Sequence, residues 1–127
     1  MASLHHIHIK AKDPSRSAAW WADMFGATEL PPYELRSAPF APIELGGLTF
    51  SISRPFPADA ARTAEPPTAP HYGLEHIGIV VQDLDATLAR FEKQGLPVHG
   101  RREITGFRIA FVTDPDGLLL ELMEPVP

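Results

Sequence analysis

No cysteine occurs among the 127 residues, which excludes a disulfide framework, a thiolate nucleophile and a zinc–sulfur site. No apolar run approaches the roughly 18 residues of a membrane span, and histidine already stands at position 5, against a secretory leader. No block of lysine or arginine is present. The formal net charge of −5 and the pI near 5.6 make nucleic acid or an anionic membrane surface a poor partner. These absences lead to the expectation of a soluble cytoplasmic protein without nucleic-acid or membrane partners. With thiolates missing, histidine, aspartate and glutamate are the side chains left to bind a metal.

What is present is histidine in a suggestive place. The stretch "LHHIHIKAKD", residues 4–13, alternates histidine with isoleucine as a strand does. Displaced by 70 positions it matches "LEHIGIVVQD", residues 74–83, with Leu4/Leu74, His6/His76, Ile7/Ile77, Ile9/Ile79 and Asp13/Asp83 coinciding. The same displacement pairs Gly47/Gly117, Leu48/Leu118 and Pro55/Pro125. A repeat of this length means a duplicated supersecondary unit.

Each copy opens with a strand (4–11; 75–82) and continues into a helix, "PSRSAAWWADMFG" or "LDATLARFEKQG". Asp13 and Asp83 occupy N-cap positions, and Gly26 and Gly95 suit the C-terminal turn. Three further strands are expected in each half, near 28–31, 36–43 and 47–53, and near 97–103, 107–113 and 118–123. The fold class is therefore α+β, two βαβββ modules: module one 1–54, a connector at 55–73, and module two 74–125, within a single domain. The connector carries Pro55, Pro57, Pro66, Pro67 and Pro70 and should hold little regular structure. On the helices, Leu84, Leu88 and Phe91 form a buried stripe, Trp21 is core, and Trp20 points outward, a hint of a subunit contact.

Strand parity gathers the chemistry. His6, His8 and Lys10 share one face of the first strand, with Ile7 and Ile9 on the other. In the last strand Leu118, Leu120 and Leu122 face the helix, which leaves Glu121 opposite; its counterpart 70 residues earlier is Ser51, flanked by Thr49 and Ser53. Symmetric modules would aim His6, Ser51, His76 and Glu121 at one centre. Two histidines and a carboxylate with open positions describe the facial set of non-heme iron(II) sites, although imidazole also suits manganese, nickel, cobalt and zinc. His8, one inward step along, suits an acid/base role, and His8 or Lys10 would manage protons beside Glu121 in catalysis. Lys10 and Arg108 are candidates to hold an anionic substrate group, and Thr49, Ser51 and Ser53 to line the cavity.

The segments "HIGIVVQDLDATLARFEKQG" and "FVTDPDGLLLELMEP" closely resemble the opening strand–helix and closing turn–strand of the vicinal oxygen chelate superfamily. That superfamily includes glyoxalase I, extradiol dioxygenases, fosfomycin-resistance proteins, methylmalonyl-CoA epimerase and bleomycin-binding proteins. The resemblance implies a curved, open sheet around a divalent metal held by His6, His76 and Glu121. It also implies a substrate offering two neighbouring oxygens, and a homodimer. Ser51 stands where glyoxalase I and the epimerase resemble each other in carrying a carboxylate or amide, so a coordination position is opened. That points to a metal-dependent dioxygenase, with a lyase, isomerase or thiol transferase on the same site as the alternative. A metal-free binding protein of the bleomycin-resistance kind is the third reading. Phe111 replaces the tyrosine of ring-cleaving relatives, and "LMEPVP" lacks the cations that hold a phosphonate in fosfomycin-resistance proteins.

Overall fold

The computed structural model describes residues 1–127. Two compact units divide the chain, Met1–Ala64 and Glu65–Pro127, each built on its own sheet. The α+β class expected from the repeat is the one found, with two sheets and two α-helices. No helix is long and apolar enough to cross a membrane.

The second unit follows the expected βαβββ order. Strand β7 (Ile77–Val80) leads into α2 (Leu84–Lys93), then β8 (Val98–Ile104), β9 (Phe107–Thr113) and β10 (Leu119–Pro125), arranged β7-β10-β9-β8. Asp83 caps α2 by accepting from the Ala86 amide at 2.9 Å. Leu84, Leu88 and Phe91 are buried, as their spacing requires, together with Leu120, Leu122 and Val112 from the sheet. Burial of each such side chain stabilises the unit by about 1.5–3 kcal/mol.

The first unit begins the same way, with β1 (His6–Lys10) and α1 (Pro14–Phe25). Asp13 accepts from the Arg16 amide at 3.2 Å, and Gly26 closes the helix in the left-handed region at φ 73°. Trp21 is 1% exposed and stacks on Phe50 with ring centroids 5.4 Å apart. Trp20 departs from the outward orientation expected of it. Its ring folds against Phe25, centroids 5.6 Å apart, and is half-buried within its own unit.

The middle strands also differ. In place of strands at 28–31 and 36–43 there are four short ones, β2 (Thr28–Glu29), β3 (Tyr33–Leu35), β4 (Ala38–Phe40) and β5 (Ile43–Leu45), before β6 (Leu48–Ser53). Proline explains the division: Pro31, Pro32 and Pro42 have no amide hydrogen for a ladder, and each falls in a break between strands. The connector holds one 3₁₀ helix, Pro57–Arg62, and no strand.

Two hairpins in this unit use two-residue turns with both residues left-handed. Gly46–Gly47 (φ 60° and 82°) joins β5 to β6, which suits glycine. Arg36–Ser37 (φ 48° and 65°) joins β3 to β4 with two side chains that disfavour this region. Replacing Ser37→Gly should raise stability by about 0.5–1 kcal/mol, relief of strain outweighing the added chain entropy. Urea unfolding checks this; a lower midpoint for Ser37→Gly would contradict the strain.

Candidate metal and substrate site

In both units the first strand pairs in parallel with the last. His8 lies opposite Ser51 and Gly78 opposite Glu121, a spacing of 43 in each (51 − 8 and 121 − 78). Because the two units share this register, they share its faces too. Leu120 and Leu122 are 0% exposed, whereas Glu121 projects to the side away from α2.

There Glu121 meets His76. The imidazole Nε2 lies 2.8 Å from Glu121 Oε2, and Nδ1 lies 3.1 Å from Glu75 Oε1. Phe111, directly opposite Glu121 on β9, presents its ring edge-on to His76 with centroids 5.2 Å apart. A carboxylate behind Nδ1 is a common support for a metal-ligating histidine, and here both ring nitrogens lie against carboxylates. Glu75 was missed in the sequence, yet it has a signal there. It immediately precedes the candidate ligand, as His5 precedes His6, and His5 Nδ1 lies 2.9 Å from His6 Nδ1. Sequence-adjacent residues thus hold the same ring nitrogen at both repeat-related positions.

The first unit arranges the other candidates as a ladder. Registers pair His6 with Thr49, His8 with Ser51 and Lys10 with Ser53. His8 Nε2 lies 2.7 Å from Ser53 Oγ, whose hydroxyl donates to the Arg54 carbonyl at 2.9 Å and receives Lys10 Nζ at 3.5 Å. Since the hydroxyl donates elsewhere, His8 Nε2 carries the proton and Nδ1 is left as an acceptor. Partial desolvation, then the charges of Lys10 and His6, hold the His8 pKa below its ordinary value. Ser51 is 8% and Ser53 0% exposed, so both hydroxyls are buried.

Arg108 stands elsewhere. It pairs in register with Glu124, on the helix side of the sheet and opposite in parity to Glu121. Its Nε reaches Glu124 Oε2 at 3.1 Å and its Nη2 reaches Asp85 Oδ2 at 3.4 Å, while Arg101 also binds Asp85. Arg101 first, then Arg108, holds the Asp85 carboxyl below the usual carboxylate range. A cavity of about 240 Å³ opens here, lined by Leu84, Arg101, Arg102, Glu103, Arg108 and Ile109. Arg108 therefore braces the start of α2 beside this cavity, on the face of the sheet opposite to Glu121.

Within neither unit do three histidine, aspartate or glutamate side chains gather as a ligand group. The second unit brings two together, His76 and Glu121, and one imidazole nitrogen plus one carboxylate is a donor pair suited to iron(II), manganese or zinc. That pair supplies two of the donors a divalent ion needs, with donor chemistry that fits one.

The turn before β10 aims Glu121. Asp114 Oδ1 accepts from the Asp116 amide at 2.9 Å and the Leu118 amide at 2.8 Å. Gly117 (φ 85°) lies so close to Pro66 that a Cβ would fall 2.3 Å from Pro66 Cγ. Only glycine fits.

A model of the Glyoxalase/Bleomycin resistance protein/Dioxygenase superfamily matches residues 3–122. The chain belongs to this superfamily. It is 33% identical over 128 residues to the Escherichia coli (strain K12) protein YaeR, a match covering 98% of this chain and 97% of the relative. The Bacillus subtilis (strain 168) protein YwkD is 30% identical over 128 residues, covering 98% of each. Among solved structures, the genomically encoded fosfomycin resistance protein FosX from Listeria monocytogenes, complexed with Mn(II) and sulfate ion, superposes with a TM-score of 0.69. It is 22% identical and covers 99% of this chain and 92% of that one. The superfamily includes metal-dependent enzymes alongside resistance proteins; the fold alone does not choose among them.

Asp114 yields a pH prediction. Burial, foremost, pushes its pKa up to about 7 from 3.8, and its Oδ2 has no hydrogen-bond partner. A raised folded-state pKa contributes stability that is complete below the unfolded value and lost as pH rises through about 7. Asp114→Asn removes the titration. Between pH 4 and 8 the parent should lose up to about 4 kcal/mol relative to Asp114→Asn in urea unfolding; parallel profiles would contradict the buried-acid account.

Proposed function

We propose that this protein is a metal-dependent enzyme acting on a small substrate with two neighbouring oxygens, with His6, His76 and Glu121 as its metal ligands. The 2.8 Å approach of His76 Nε2 to Glu121 Oε2, with Glu75 behind Nδ1, is the observation that carries this reading. A divalent ion held there would act as a Lewis acid on adjacent substrate oxygens. Iron(II) is the favoured ion, with manganese, nickel, cobalt and zinc as alternatives. Manganese accompanies the FosX relative above.

The chain's own residues supply the rest. His8 presents an acceptor nitrogen, so it serves as the base that takes a substrate proton. Lys10 and the Thr49 hydroxyl orient substrate oxygens along the face of β1 and β6, and the buried hydroxyls of Ser51 and Ser53 back that wall. Ser51, at the repeat position of Glu121, is a weak ligand and leaves a coordination place open, which favours oxygen-dependent chemistry over proton shuffling by two opposed carboxylates. A homodimer is the working form this reading assigns.

Metal-stripped protein titrated anaerobically with Fe(II) or Mn(II) should take up about one equivalent per chain. His76→Ala or Glu121→Ala should weaken that uptake at least tenfold, a loss of about 1.4 kcal/mol. No uptake by the parent protein sinks the metal reading. In an oxygen electrode with catechols and 2-oxo acids, consumption by the Fe(II)-loaded protein supports the oxygenase; turnover without consumption assigns the lyase or isomerase alternative.

A further inference from the structure

One end of the β1–β6 face carries charge without a counter-charge. The Lys10 ammonium lies 4.6 Å and the Arg36 guanidinium carbon 4.4 Å from the centroid of the same Phe56 ring, so their separation is bounded at 9.0 Å. Neither makes an ion pair with a carboxylate, although the chain has 16 acidic residues against 11 lysines and arginines. Two like charges against one ring repel, and at exposed positions the ring face offsets little of that repulsion. The arrangement suits an oxyanion within reach of both.

The backbone adds a second observation. Arg36 occupies the left-handed turn between β3 and β4, where asparagine or glycine is the low-strain choice. Backbone strain of this kind clusters at functional sites. The turn carries Arg36 to the ring that Lys10 approaches from β1.

The neighbouring registers describe the rest of a ligand. Lys10 pairs with Ser53, Ser53 with Phe40 and Phe40 with Tyr33, so one row crosses four strands as cation, hydroxyl and two aromatic rings. Tyr33 stacks on Phe40 with centroids 4.9 Å apart and an interplanar angle of 15°, and is itself 48% exposed. Phe40 also packs against His8 at 5.4 Å. The row begins four residues along β1 from His6, roughly 13 Å.

We propose that Lys10 and Arg36, braced on Phe56, form an oxyanion site, and that the substrate carries a carboxylate or similar anion on a flat apolar body lying against the exposed Tyr33, with buried Phe40 stacked behind it. The inference rests on the metal-centred reading for the identity of this ligand as the substrate. The anion site itself is complete within the first unit.

Metal-stripped full-length protein titrated with phenylacetate, with 2-phenylethanol as the neutral counterpart, separates the two ideas. Phenylacetate should bind saturably and lose affinity with added salt, and 2-phenylethanol should bind at least tenfold more weakly. Lys10→Met and Arg36→Met, both at exposed positions, should each raise the phenylacetate Kd at least tenfold. His76→Ala, which tests metal uptake, should leave it unchanged. Equal binding of the alcohol, absence of phenylacetate binding, or an unchanged Kd in both cation variants overturns the oxyanion site. Failure of metal uptake with phenylacetate binding intact would overturn the metal reading alone.

Discussion

The parallel pairing of first strand to last within each unit is the constraint from which the rest follows. Parallel ladders cannot be joined by a tight turn, so the intervening helix and strands must cross over and return. That crossover brings residues about 43 positions apart side by side, Ser51 beside His8 and Glu121 beside Gly78. Once the register is set, alternation does the remainder. Leucine and isoleucine turn to the helix, and the side chains carrying chemistry turn away from it.

Duplication then permits divergence at equivalent positions. The second unit places a glutamate where the first has Ser51, a glycine where the first has His8, and a valine where the first has Lys10. The second unit therefore brings His76 against Glu121, while the first links His8 and Lys10 through the Ser53 hydroxyl. The repeat also keeps a supporting contact in different chemical dress. Glu75 and His5 each touch Nδ1 of the following histidine, leaving Nε2 to face the chemistry. An aromatic edge from Phe111 covers the His76 ring at the position where ring-cleaving relatives resemble one another in carrying tyrosine.

Stability and site geometry trade against each other in two turns. The Asp114–Gly117 turn buries a carboxyl oxygen without a partner while two backbone amides hold the other oxygen, and this fixes the start of the strand carrying Glu121. The Arg36–Ser37 turn accepts left-handed backbone on two ordinary residues and sets a guanidinium against Phe56. Both features cost folding energy.

Much of this was legible in the order of residues. The displaced copies of "HIHIK" and "HIGIV" announce the repeat, Asp13 and Asp83 announce the caps, and parity alone separates Glu121 from Leu120 and Leu122, because local periodicity depends on neighbours in the chain. Other features depend on contacts distant in sequence and were hidden. Arg108 has the parity of Glu124, and only the pairing of β9 with β10 reveals that it braces the helix. Trp20 is half-buried because its ring folds edge-on against Phe25, five residues further along the same helix. Proline divided the middle strands of the first unit, yet the row from Lys10 to Tyr33 exists because four separate strands align there. Covalent order sets which side chains alternate and where helices begin; strand registry, a collective property of the packed sheet, chooses which of them meet.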